Sequence, residues 1–150
     1  MRRKEKSMES MKEIELIIQS EKVLRLGLCA ENQPYIVPVN YGYLNKQFFI
    51  HCAKEGRKLD MIAKNPNVCI EIERANELVT GDVACQYTMK FESIIGFGQA
   101  TILTELEDVK MGLEILMAQF SDLKFTFNEK AMSRVAIIKI DIDEITGKKA

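Results

Sequence analysis

Apolar and polar positions change period several times along this chain, and each change marks an element. From Ser10 to Ser20, the residues Met11, Ile14, Ile17 and Ile18 recur at three- and four-residue spacing, the signature of one helical face. Ser10 and Glu13 have the spacing of a capping box at the start of that helix. Val23 to Cys29 predicts a strand, closed by a turn at Glu31-Asn32-Gln33. Tyr35 to Tyr43 then alternates: Tyr35, Val37, Val39, Tyr41 and Tyr43 share one bulky face, and Ile36, Pro38, Asn40 and Gly42 share the other. Pro38 lacks a ladder donor, so this strand is either a sheet edge or has its backbone against something other than a strand. Asn40 and Gly42, polar or small, are expected to leave room there for a ligand.

Leu44-Asn45-Lys46 reads as a hairpin turn and Gln47 to Cys52 as the returning strand. Arg57 to Ala63 predicts a short helix, ended at Asn65-Pro66 because the residue before proline disfavours helix. Val68 to Arg74 alternates, with Val68, Ile70 and Ile72 one way and Cys69, Glu71 and Glu73 the other. Ala75 to Ala84 reads as a connection around Gly81-Asp82. Tyr87 to Leu103 is long for one strand, and Gly96 and Gly98 on one face predict a bend of the kind barrels need. Glu107 to Phe120 predicts a helix with Val109, Leu113, Leu116, Met117 and Phe120 on one side, and Arg134 to Ile142 a final strand. Residues 1–8 are charged and expected to fray or drape over the surface. Hairpin-length loops predict antiparallel pairing, and six or seven strands with few helices predict a small closed or partly split barrel. One domain is expected over residues 1–150.

Composition narrows the function. The formal net charge of −1 implies no broad basic face and argues against a general nucleic-acid binder. No apolar run approaches the roughly 20 residues a membrane helix needs, and Ser7 to Glu15 is too polar for a signal core, so a cytoplasmic protein without a membrane segment is expected. Cys29, Cys52, Cys69 and Cys85 form no C-x-x-C pair, and with His51 as the one histidine a zinc centre is hard to assemble. No metal is expected, and the four thiols read as buried and reduced.

Gly56-Arg57-Lys58 stands where the short helix begins. A helix N-terminus carries partial positive charge and free N–H groups, so two cations there are unfavourable by about a few tenths of a kcal/mol each. A bound phosphate reverses that sign by taking the free N–H groups and the charge-assisted bonds together. The alternative is a solvated basic turn. His51 ends the preceding strand and reads either as a core or rim residue with one hydrogen bond, or as a donor or proton relay facing a ligand. Asp60 stands apart, and Glu71 and Glu73 read as a solvated strand face, so no general acid–base pair is evident.

Taken in order, Leu26-Gly27-Leu28, Pro34 to Tyr43, Phe49 to Ala53 and Gly56 to Asp60 resemble successive blocks of the FMN-binding split-barrel proteins. These are the pyridoxamine 5'-phosphate oxidase-like proteins, and the likeness is to their nitroimidazole-resistance branch. It continues in Asn65-Pro66, Val68-Cys69, Glu92 to Gly98 and the closing Ile145-Thr146-Gly147-Lys148. The resemblance implies a six-stranded antiparallel split β-barrel, mainly β with flanking helices, working as a homodimer with FMN at each end of the subunit interface. It implies that the backbone of Pro38, Val39, Asn40 and Tyr41 lies along the flavin ring, that His51, Cys52 and Ala53 line it, and that Arg57 and Lys58 hold the phosphate. Ser93 would approach from the glycine-bent strand of the same or the other subunit, and His51 would be the residue nearest the chemistry. True pyridoxamine-phosphate oxidases carry further basic residues near the C-terminus for the substrate phosphate, and Glu144 to Ala150 shows no such motif. The expected activity is therefore a flavin-dependent reductase of small acceptors such as nitro compounds or quinones. NAD(P)H would bind transiently, because no G-x-G-x-x-G is present. The alternatives are a non-catalytic flavin carrier or sensor, and a split barrel using a deazaflavin or haem, with His51 on the haem iron.

Overall fold

The computed structural model describes residues 6–8 and 10–150, with backbone alone at 75 and 76. The chain opens with helix α1 (Met11–Ser20) and hairpin β1 (Val23–Ala30) and β2 (Gln33–Asn40). Strands β3 (Gly42–Leu44) and β4 (Gln47–Ala53), helix α2 (Arg57–Lys64) and strands β5 (Asn67–Val79) and β6 (Thr88–Leu103) follow. Helix α3 (Leu106–Ala118), a single turn α4 (Glu129–Met132) and strand β7 (Val135–Lys149) complete it.

The strands form one antiparallel sheet in the order β2-β1-β5-β6-β7-β4-β3. Its two ends are the same stretch of chain: β2 and β3 are separated by Tyr41 alone. On one side of Tyr41 the chain pairs with β1 through Asn40 and Val23, and on the other with β4 through Gly42 and Phe49. Counted as one bent strand, β2 and β3 give the six strands of a split barrel, and the fold is mainly β with flanking helices. Pro38 does lie in an edge strand, where a missing donor costs least.

Inside the barrel sit Leu24, Leu26, Leu28, Phe48, Ile50, Ile70, Ile72, Ile94, Ile138 and Ile140, capped by Ile14, Ile17 and Ile18 of α1. Ser10 Oγ caps α1 by accepting from Glu13 N at 3.3 Å. A second cluster lies outside the barrel, where α3 and α4 bury Phe49, Val109, Met132 and Ile137. Being covered on both faces, β4 buries three successive residues, Phe48 to Ile50, and does not alternate.

Several expectations need correction. Gly42 leaves no room for a ligand: a Cβ there would lie 2.5 Å from the Ile115 carbonyl oxygen, because the backbone of α3 rests on it. Ala75 to Val79 belongs to β5, where a register shift between Ala75 and Glu77 breaks the alternation that marks a strand. β7 runs on past Ile142 to Lys149, a stretch whose polar residues disguise continued pairing with β6. The bend at the paired glycines is present as a second register shift between Phe97 and Gly98. Within residues 1–8, Met8 is anchored: its N–H donates to the Gly147 carbonyl at 3.0 Å and its side chain is 7% exposed. Residues 1–5 and 9 lie outside the described residues. The four thiols are not buried: Cys29 and Cys85 are exposed, and Cys52 and Cys69 half-buried. Cys29 and Cys69 lie on the outer faces of β1 and β5, away from the barrel interior. No helix among the described residues is long and apolar enough to cross a membrane.

Candidate functional site

The split of the barrel is a local event at Tyr41. Beyond the Gly42–Phe49 pair, β2 stays with β1, while Ile50, His51, Cys52 and Ala53 continue along Ile138, Ile137, Ala136 and Val135 of β7. Pro38 to Asn40 and His51 to Ala53 therefore border a seam with no ladder between them, although the two strands approach each other.

After Lys54-Glu55 the chain turns into α2 at Gly56, whose φ of 128° is a conformation side-chain-bearing residues rarely adopt. The Gly56 carbonyl accepts from Leu59 N at 2.9 Å and from Asp60 N at 3.2 Å. The N–H groups of Arg57 and Lys58, in the first turn, have no acceptor within the helix. Arg57 reaches back to β2, its guanidinium 4.6 Å from the centre of the Tyr35 ring. It makes no ion pair among the described residues. Lys58 is half-buried and acts on Cys52 of β4: burial pushes the Cys52 thiol up, and the Lys58 charge pulls it partly back. β2, β4 and the start of α2 thus meet in one neighbourhood, with Arg57 on the Tyr35 ring and the Lys58 charge acting on Cys52.

The predicted residues divide by orientation. His51 and Ala53 are exposed on the outer face that Phe49 shares, whereas Cys52 turns to the barrel interior, with its Sγ 3.7 Å from the Ala136 carbonyl it donates to. Pro38 and Asn40 are exposed, and Asn40 Nδ2 donates to the Lys22 carbonyl at 3.1 Å. Val39 faces inward against the core. Tyr41 is fully buried and its hydroxyl donates to the Ile18 carbonyl at 2.6 Å, so only its backbone borders the seam. Ser93 stands apart, on β6 between Glu73 and Lys148, with β1 and β5 intervening before β2. In a single chain it does not join the other nine. Tyr35 joins this neighbourhood through tertiary structure alone, because no local pattern links it to a helix that begins after the next hairpin. Among the described residues no three His, Cys, Asp or Glu side chains converge as a metal site requires. The arrangement suits a ligand with an anionic tail and a flat body: two cations and two free amides for the one, a strand edge without a ladder for the other.

A family model for pyridoxamine 5'-phosphate oxidase matches residues 10–149. The chain belongs to the pyridoxamine 5'-phosphate oxidase family. Within it, the chain is similar to a crystal structure from Bacteroides thetaiotaomicron assigned provisionally to 5-nitroimidazole antibiotic resistance. The two are 30% identical with a TM-score of 0.85, over 95% of this chain and 86% of that one. That similarity agrees with the branch the sequence blocks resemble. An FAD- and haem-binding protein from Mycobacterium smegmatis shares the fold, with a TM-score of 0.85 at 14% identity, over 97% of this chain and 73% of that one. An uncharacterised protein of Rhizobium meliloti strain 1021 is 30% identical over 63 residues, 42% of this chain and 41% of that protein. The matched stretch spans less than half of that relative's length.

Proposed function

We propose that this family member is an FMN-binding flavoprotein that reduces small acceptors such as nitro compounds or quinones, taking electrons from NAD(P)H. The observation that carries the reading is the pair of cations, Arg57 and Lys58, at a helix start with free amides, directly beside the ladder-free seam. Placed there without an anion, they are unfavourable; with a nucleotide phosphate they are held. The family assignment and the flavin- and haem-binding names of fold relatives point the same way.

Arg57 and Lys58 would hold the phosphate, and the backbone of Pro38, Val39, Asn40 and Tyr41 with His51, Cys52 and Ala53 would line the ring. Bound FMN supplies the electron- and hydride-transfer chemistry, which belongs to the cofactor. The chain's own part is to bind, orient and exclude water. His51, exposed at the rim, is positioned to donate a hydrogen bond or proton to a small acceptor. Pyridoxamine phosphate is not the substrate in this reading, since Glu144 to Ala150 shows no motif for a second phosphate, and its lysines lie elsewhere, Lys148 over the Phe91 ring and Lys149 on Glu13.

The protein works in this reading as a cytoplasmic homodimer. Ile36, Gly27, Cys69 and Phe97 stand in register across the outer faces of β2, β1, β5 and β6. Ile36 is 69% and Phe97 52% exposed, and a depression of about 410 Å³ opens at Ile36, lined also by Arg25, Gly27, Cys69, Glu71 and Glu73. An apolar row of this kind supports coverage by a second copy, and a second copy would bring in the Ser93 that one chain leaves apart.

The visible spectrum of purified protein, before and after NADPH under anaerobic conditions, tests the proposal. A yellow protein that NADPH bleaches is the expected result. A colourless protein that takes up no added FMN overturns it; bound FMN that no physiological donor reduces makes the protein a carrier or sensor, and a Soret band makes it a haem protein.

A further inference from the structure

Arg57 has a choice of partners. Asp60 lies three residues on along α2, the spacing at which helix side chains meet, and both line a cavity of about 220 Å³ with Glu31 and Lys64. Lys64 is engaged with Glu31 at 3.0 Å. The guanidinium nevertheless lies over the Tyr35 ring, its Cζ 4.6 Å from the ring centre, and makes no ion pair among the described residues. The difference matters chemically. A pair with Asp60 would spend donors and charge on a carboxylate, whereas a ring contact takes no lone-pair acceptor and leaves the charge unneutralised. The Arg57 guanidinium makes no hydrogen bond or ion pair to protein among the described residues, so its N–H donors remain for an anion.

We propose that Tyr35 is a positioning residue for the phosphate site: its ring holds the Arg57 guanidinium against β2, away from Asp60 and with its donor edges unspent. This rests on the flavin reading above for the identity of the anion. The side chain is ordered before the ligand arrives, which reduces the entropy that binding must overcome.

A double-mutant cycle on FMN affinity, read by quenching of flavin fluorescence, tests the role. Tyr35→Leu is expected to weaken binding roughly three- to tenfold, the span of a partly exposed cation–π contact. Tyr35→Phe and Tyr35→Trp, which keep a ring face, are expected to bind within about twofold of wild type, since the face and not the hydroxyl makes the contact. In an Arg57→Ala background, Tyr35→Leu is expected to cost nothing more. Wild-type affinity in Tyr35→Leu, or the same loss with Arg57 absent, overturns the proposal; so does failure of Tyr35→Trp to restore binding. If Tyr35→Leu does not fold, the cycle is run with Tyr35→Trp and Tyr35→Met, and loss only in the latter supports the role. A wild type that takes up no FMN refutes the flavin reading alone. The cycle is then repeated with inorganic phosphate, following the Arg57 and Lys58 amides by NMR, and amides unmoved by phosphate overturn this proposal too.

Discussion

The Tyr41 hydroxyl donates to the Ile18 carbonyl at 2.6 Å, fastening the point where the barrel splits to the last turn of the first helix. The same carbonyl accepts from Gln119 Nε2 at 2.7 Å, which also reaches the Gln19 and Glu21 carbonyls at 3.2 and 2.9 Å. One glutamine thereby satisfies carbonyls that the end of α1 leaves open. Burial, and then the nearby Glu21, raise the Tyr41 phenol, so it remains a donor throughout the physiological range.

Tyr41→Phe removes that donor but leaves Ile18 its second partner, so the carbonyl is not orphaned. The expected cost is about 1 kcal/mol, the ordinary net worth of one internal hydrogen bond. Urea unfolding of the two proteins measures it. A loss above about 3 kcal/mol, the desolvation penalty of an unsatisfied group, would mean that Gln119 does not hold the carbonyl alone.

Arg57→Ala and Lys58→Ala are each expected to weaken FMN binding by about 1.5–3 kcal/mol, the range for hydrogen bonds to charged groups. His51→Ala should leave FMN affinity close to wild type while changing the reduction rate or the affinity for small ligands. Isothermal titration and anaerobic stopped-flow separate the two classes. Unchanged FMN affinity in both cation variants would remove the phosphate role, and a His51→Ala protein altered in neither respect would make that histidine a passive rim residue.

Cys52 gives a pH signature. Its folded thiol is raised, by burial first, with Lys58 opposing. The sign follows: its contribution to stability is complete below the unfolded thiol value of about 8.5 and is lost as pH rises through the folded one. Alkylation of Cys52, followed by mass spectrometry across pH, should therefore have its midpoint above that of an ordinary thiol, and Lys58→Ala should move it further up. A midpoint that ignores Lys58→Ala would show that the lysine does not reach the seam. Exposed Cys85 should be alkylated first at neutral pH.

Phe97→Asp places a charge on the apolar outer row without touching the barrel interior. Sedimentation is expected to show a dimer for the wild type and a monomer for the variant, with the fold retained by circular dichroism. A variant that stays dimeric would locate the interface elsewhere; a wild type that is monomeric at all concentrations would remove the second copy from the proposed function.

Periodicity carried much of the architecture. The spacing of Ile14, Ile17 and Ile18 determined which face α1 buries, and the alternation of Tyr35 to Tyr43 determined which side chains point inward, because helix and strand geometry impose those periods whatever the chain packs against. The cations of α2 were equally plain, since a helix start is a local property. Tertiary structure alone decided what covers each face and which distant strands pair. It filled the space at Gly42 with α3, left Cys29 exposed and Cys69 half-buried, extended β7 through polar residues by pairing them with β6, and set Tyr35 beneath Arg57. A period states the direction in which a side chain points; the occupant of the space it enters comes from elsewhere in the chain, and no local pattern records it.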